Sequence, residues 1–124
     1  MNKDTNITNN FKFGEFYCHG VRPPDGYVPN IIKVAKELQL LRDIVKKPIR
    51  INSGYRTKEF NNSLKDSSKN SMHLSGKACD ISISNMSIPR LLFYVGRYTN
   101  FNGIGISKSF IHVDTREVPA IWFY

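Results

Sequence analysis

The sequence predicts an α+β fold in which a small antiparallel sheet carries flanking helices. Three observations support this. Two segments repeat apolar residues at helical spacing, several short segments alternate with a period of two, and the elements run helix, strand, strand, helix, hairpin.

In chain order, residues 1–10 are polar and rich in asparagine, a composition that predicts a flexible N-terminal lead-in with nothing to pack. A single domain is expected over 11–124. Phe11, Phe13 and Phe16 open it as a short aromatic segment, and Gly20, Pro23, Pro24, Gly26 and Pro29 make the next stretch a turn-rich loop that no helix should cross. From Asn30 to Val45, apolar Ile31, Val34, Leu38, Leu41 and Val45 recur every three or four residues, so this segment is an amphipathic helix that Pro48 ends. Residues 49–53 alternate as a half-buried strand, 63–70 form a polar loop, and 78–84 alternate again. Ile88 to Tyr98 reads as a second helix with Pro89 in its first turn, where a missing N–H does no harm. Gly103–Ile106 and Phe110–Asp114 form a hairpin, and Ala120–Tyr124 is a last strand or an aromatic anchor.

The chain is 124 residues long with a formal charge of +8, which favours a polyanionic partner such as nucleic acid, an anionic cell wall or acidic lipid, and charge alone does not choose among them. Lys33, Lys36, Arg42, Lys46, Lys47 and Arg50 are read as the solvated face and surroundings of one helix, and no nucleic-acid recognition motif accompanies the charge. The opening residues have no apolar run of the kind a signal peptide needs, and nothing later reaches the ~18 apolar residues that span a bilayer. Synthesis in a cytoplasm and a monomeric state are the corresponding expectations. Two cysteines, outside any C-x-x-C pair, exclude a disulfide framework, and Cys79 is expected to be a buried free thiol.

Chemistry is carried by two stretches about forty residues apart, Ser71-Met-His73-Leu-Ser-Gly76-Lys-Ala78-Cys-Asp80 and Phe110-Ile-His112-Val-Asp114-Thr-Arg116. Each pairs a histidine with an aspartate. Side chains alternate across a strand, so Cys79, Ile81, Ile111 and Val113 point into the core, while Asp80, His112 and Asp114 share the opposite face. His73 reaches them only if its loop folds back, a turn Gly76 permits. Two imidazoles and a carboxylate form a zinc-type set of three protein ligands with a fourth position left for water, whereas calcium and magnesium prefer all-oxygen shells. Asp114 lies about 6.6 Å along the strand from His112. It could act as general base or only orient a ligand. His19 is read as an ordinary surface or core residue.

These residues resemble the M15 zinc peptidases: D-alanyl-D-alanine carboxypeptidases, related dipeptidases, and phage endolysins that cut peptidoglycan stem peptides. Ser53-Gly-Tyr-Arg56, the His73 and His112 motifs, Gly103-Ile-Gly-Ile106 and the opening Phe13-Gly-Glu-Phe16-x-Cys18 fall in the family's order. The resemblance implies a fold like that of the hedgehog domain and the D-Ala-D-Ala peptidases, with His73, Asp80 and His112 as zinc ligands. By the same resemblance Arg56 binds substrate and steadies the developing oxyanion, an effect worth about 3–4 kcal/mol per well-placed donor. Ser71 would orient the ligand loop and line the substrate site, or merely cap the loop. One departure concerns the base. Several relatives carry Glu or Asp three residues before the last histidine ligand, where this chain has Ser109, so Asp114 is either the replacement base or a residue that holds His112 by a hydrogen bond.

The expected activity is zinc-dependent hydrolysis of a peptide bond in bacterial stem peptides, acting at the cell wall as a phage lysin or virion component. The alternative is a zinc-containing module that binds wall peptides without cutting them, as the hedgehog domain, a relative that has lost hydrolysis, suggests.

Overall fold

The main sheet has five strands: β3 (Arg50–Ser53), β4 (Ala78–Ser82), β5 (Gly103–Ile106), β6 (Ile111–Asp114) and β7 (Ala120–Phe123), in the spatial order β3-β4-β6-β5-β7. A smaller antiparallel ribbon pairs β1 (Asn6–Thr8) with β2 (Phe11–Lys12). The computed structural model describes residues 1–65 and 67–124. The fold is α+β as expected, with one refinement: β7 runs parallel to β5, so the sheet is mixed.

Helix α1 (Val28–Val45) buries Ile31, Val34, Ala35, Leu38 and Leu41 against the sheet, and α3 (Ile88–Tyr98) adds Leu91 and Val95. The opposing strand residues are Cys79, Ile81, Ile104, Ile111 and Val113, so the parity predicted for β4 and β6 holds. Ser87 caps α3, its hydroxyl accepting from the Arg90 N–H at 3.3 Å. At the other end of α1, Lys46 takes a left-handed conformation (φ 54°) and closes the helix before Pro48.

Three local expectations are corrected. Residues 1–10 are not a lead-in with nothing to pack: Lys3 and Thr5 carbonyls accept from the Gly14 and Phe13 N–H groups at 2.9 Å, and Ile7 packs on the core. Polar composition did not reveal this because the partners are backbone groups. The turn-rich loop ends earlier than expected, since α1 starts at Val28 with Pro29 in its first turn. A six-residue helix, α2 (Lys58–Ser63), went unread because six residues are too few to show a period; Thr57 caps it by accepting from the Phe60 N–H at 3.1 Å. Asp66, within the expected 63–70 loop, lies outside the described residues.

Candidate metal centre

The face of the sheet opposite α1 and α3 is organised in rows. Ser53 pairs with Asp80, Asp80 with His112, His112 with Gly105, and Gly105 with Trp122, a single line across all five strands. The adjacent row is Ala78, Asp114, Gly103 and Ala120. Antiparallel partners sit side by side on one face, so register alone brings Asp80 against His112.

His73 arrives from outside the sheet. It lies in a 3-10 turn, Met72–Ser75, that Ser71 caps, the Ser71 Oγ accepting from the His73 N–H at 3.2 Å. Gly76 closes the turn at φ +72°, the left-handed conformation the sequence motif called for. The Ser53–Arg56 motif clamps the turn from both sides: the Gly54 carbonyl lies 2.7 Å from His73 Nδ1, and the Arg56 N–H donates to the His73 carbonyl at 3.0 Å.

Thus His73, Asp80 and His112 come together, all buried, their candidate ligand atoms within 4.8 Å of one another. Asp80 Oδ1 is 3.2 Å from His73 Nε2 and 3.1 Å from His112 Nδ1. A tetrahedral ion with ligands at about 2.0–2.1 Å separates neighbouring ligand atoms by roughly 3.3–3.4 Å, so both edges suit zinc. Proton placement agrees. A carbonyl only accepts, so His73 Nδ1 carries the hydrogen, and the neutral ring turns its Nε2 lone pair toward the Asp80 carboxylate. Two electron-rich atoms facing each other at that distance are reconciled by a cation between them.

Burial drives the His73 pKa below its ordinary value, against the pull of Asp80. Burial acts on His112 too, but its contacts with Asp114 and Asp80 outweigh it and raise the pKa. For Asp80, burial is outweighed chiefly by the hydrogen bond from His112, which holds the carboxylate well below the usual range. The centre therefore offers one ionised carboxylate and one neutral imidazole, with a second imidazole whose Nδ1 proton a cation would displace.

Asp114 lies on the far side of the His112 ring, its Oδ2 2.7 Å from Nε2, whereas Nδ1 faces Asp80. Its other acceptor sites are occupied by Arg116: the backbone N–H and Nε reach Oδ1 at 3.1 and 2.9 Å, and Nη2 reaches Oδ2 at 2.7 Å. The side chain is 0% exposed, and its pKa is held low, burial being outweighed by the His112 and Arg116 hydrogen bonds. Asp114 thus meets the His112 ring on the side away from Asp80, a contact that can hold the ring in place. The proton-accepting role set out above would need a free oxygen on the Nδ1 side of the ring.

Arg56 is also engaged. Its Nε donates to Ser53 Oγ at 3.2 Å, Nη1 to Asn61 Oδ1 at 3.4 Å and Nη2 to Asp80 Oδ2 at 3.2 Å. It thus holds the second oxygen of the candidate ligand, and two of its five N–H groups have no partner among the described residues. Arg56, His73, Asp80, His112, Arg116 and Trp122 are among the residues lining a cleft of about 690 Å³, a size that admits a short peptide segment.

The model of the family described as Peptidase M15 matches residues 9–114, most of the chain and all three candidate ligands. The chain belongs to the M15 peptidases. Members of this family are zinc-dependent metallopeptidases, and the His73-Asp80-His112 group is compatible with that metal. Comparison with curated proteins gives no match. Among the described residues, no helix of this peptidase is long and apolar enough to cross a membrane.

Sequence reasoning assigned no role to two side chains at this centre. Arg116 was visible in the His112 motif, but the pairing with Asp114 needed coordinates. Trp122 stood in a segment read only as a strand or anchor. Its alternation with Tyr124 on one side of β7 was a usable signal, but its neighbour across the sheet was not.

Proposed function

We propose that this peptidase hydrolyses a peptide bond in bacterial peptidoglycan stem peptides, as a D-Ala-D-Ala carboxypeptidase or an endolysin-type peptidase, at the cell wall. The observation that carries the reading is the meeting of His73 Nε2, Asp80 Oδ1 and His112 Nδ1 at the wall of an open cleft. His73, Asp80 and His112 would hold zinc there, and the metal would supply Lewis acidity and a water acidified to a pKa of about 7. The chain's own residues position the ligands and the substrate. Gly54 and Ser71 aim His73, Arg56 steadies Asp80 and turns its remaining N–H groups toward the substrate carbonyl or carboxylate, and Asp114 fixes the His112 ring. The formal charge of +8 favours retention on an anionic wall.

A second reading, a zinc-containing module that binds wall peptides without cutting them, draws support from the engagement of Asp114 and from Ser109 standing where relatives carry a base. Digestion of purified muropeptides by the zinc-loaded protein, followed by mass spectrometry, separates the two. New termini at a stem-peptide bond are expected. Intact muropeptides in the presence of bound zinc would replace the peptidase reading with the binding module.

A further inference from the structure

His112 and Trp122 stand in one cross-strand row, two strands apart, with Gly105 between them. Strand spacing alone would separate their backbones by roughly 9.6 Å. Yet their ring centroids are 5.2 Å apart, at an interplanar angle of 50°. Gly105 makes this possible. A Cβ built on it would meet the Trp122 indole at 2.8 Å, so the indole occupies the space a side chain would fill. In the next row a Cβ on Gly103 would fall 2.0 Å from Asp114 Oδ1, so the carboxylate lies over a second position that bears no side chain. Arg116 joins the rows: it grips Asp114 with Nε and Nη2, and its guanidinium carbon lies 4.8 Å from the Trp122 ring centroid.

We infer that Trp122 and Arg116 are positioning residues that brace His112, seated on β5 in the trough that Gly103 and Gly105 leave open. Trp122 limits the tilt of the His112 ring through one contact and holds the Arg116 guanidinium through another. Arg116 then fixes Asp114, whose carboxylate takes the Nε2–H of His112 and leaves Nδ1 aimed at Asp80. The glycines of Gly103-Ile-Gly105-Ile106 thereby acquire a physical reason, because each admits one side chain of the brace. Arg116 and Trp122 lie beyond residues 9–114, so the family match does not account for them. This inference rests on the reading of His112 as a metal ligand.

The test measures zinc affinity by chelator competition and, separately, thermal unfolding of the zinc-free protein, in Arg116→Met, Arg116→Lys, Trp122→Ala and Trp122→Phe. Arg116→Met and Trp122→Ala should weaken zinc binding by about 10–100-fold, the usual effect of removing an outer partner of a metal ligand; Arg116→Met also lowers the zinc-free melting temperature, because it takes two hydrogen bonds from the buried Asp114 carboxylate, whereas Trp122→Ala should leave it close to that of the parent. Trp122→Phe should recover most of the affinity, and Arg116→Lys part of it. Ile121→Ser, on the other side of the same strand, should leave zinc affinity unchanged. Affinities within twofold of the parent in both Arg116→Met and Trp122→Ala would overturn the brace, as would a loss in Trp122→Ala that merely follows falling zinc-free stability. If Trp122→Ala does not fold, Trp122→Phe and Arg116→Lys decide the matter through the same two measurements. Zinc affinity is read without turnover, so a failed brace leaves the peptidase proposal standing. Conversely, a protein that binds zinc through the brace but cuts nothing refutes only the peptidase.

Discussion

Substituting alanine at Gly103 inserts one methyl group where the fold has placed a carboxylate. The new Cβ would lie 2.0 Å from Asp114 Oδ1 and 2.2 Å from Cγ and Oδ2. An ordinary contact is about 3.5 Å, so the carboxylate must retreat by roughly 1.5 Å. Asp114 is fully buried and accepts from His112 Nε2 at 2.7 Å and from three N–H groups of Arg116, so such a shift breaks hydrogen bonds instead of bending them. Overpacking a filled interior costs about 1–3 kcal/mol, and losing charge-assisted hydrogen bonds adds about 1.5–3 kcal/mol. With some overlap between the two, a loss of about 3–5 kcal/mol is expected. At about 4 °C per kcal/mol for a chain of this size, the melting temperature should fall by about 12–20 °C. The assay is urea unfolding in the presence of a chelator, followed by circular dichroism and by the fluorescence of the single tryptophan. Gly96→Ala serves as the internal comparison: the position lies within α3 with nothing near the added methyl, so this variant should gain about 0.5–1 kcal/mol. If Gly103→Ala loses less than about 1 kcal/mol with an unchanged m-value, the carboxylate does not sit above Gly103 and the reasoning fails.

Asp114→Asn should weaken zinc binding by about 10–100-fold while sparing turnover at saturating zinc, as expected of a residue that orients a ligand; unchanged affinity with abolished turnover would restore Asp114 as the base. Arg56→Ala removes the partner of the buried Asp80 Oδ2, and zinc-free stability should fall by about 3 kcal/mol in denaturant titrations along with any peptidase activity, whereas a loss of activity alone would mean that Arg56 faces only the substrate. In the zinc-free protein the raised pKa of His112 contributes stability that is present below about pH 6.5 and lost as pH rises through the folded value, so unfolding free energy measured upward from that pH should decline, and a flat profile would contradict the assigned contacts. Asp80 and Asp114 have depressed values, so the stability they contribute is present above about pH 4 and should drain away on acidification below it; acid unfolding of Asp80→Asn showing the same profile as the parent would remove that carboxylate from the account.

The sequence by itself determined the elements whose signals are local and repeated. Helical spacing marked α1 and α3, and alternation marked the strands. Parity then placed Asp80, His112 and Asp114 on the face opposite the core, because side-chain direction along a strand follows from counting alone. The candidate ligand set was legible for the same reason, with the ordered motifs adding His73.

Tertiary structure decided whatever depends on which strands are neighbours and on what is missing between them. The parallel docking of β7 beside β5 carries no local signal, yet it brings Trp122 to His112 across Gly105. The ordering of β1 relies on backbone partners that composition cannot name. Asp114 could not be assigned from spacing, since a carboxylate two residues along a strand reaches either side of an imidazole; the orientation of the ring, set by Arg116 and by the Asp80 register, settles which nitrogen it meets. Periodicity fixes the face on which a side chain lies, but its partner is fixed only when the strands have paired and the empty positions between them are filled.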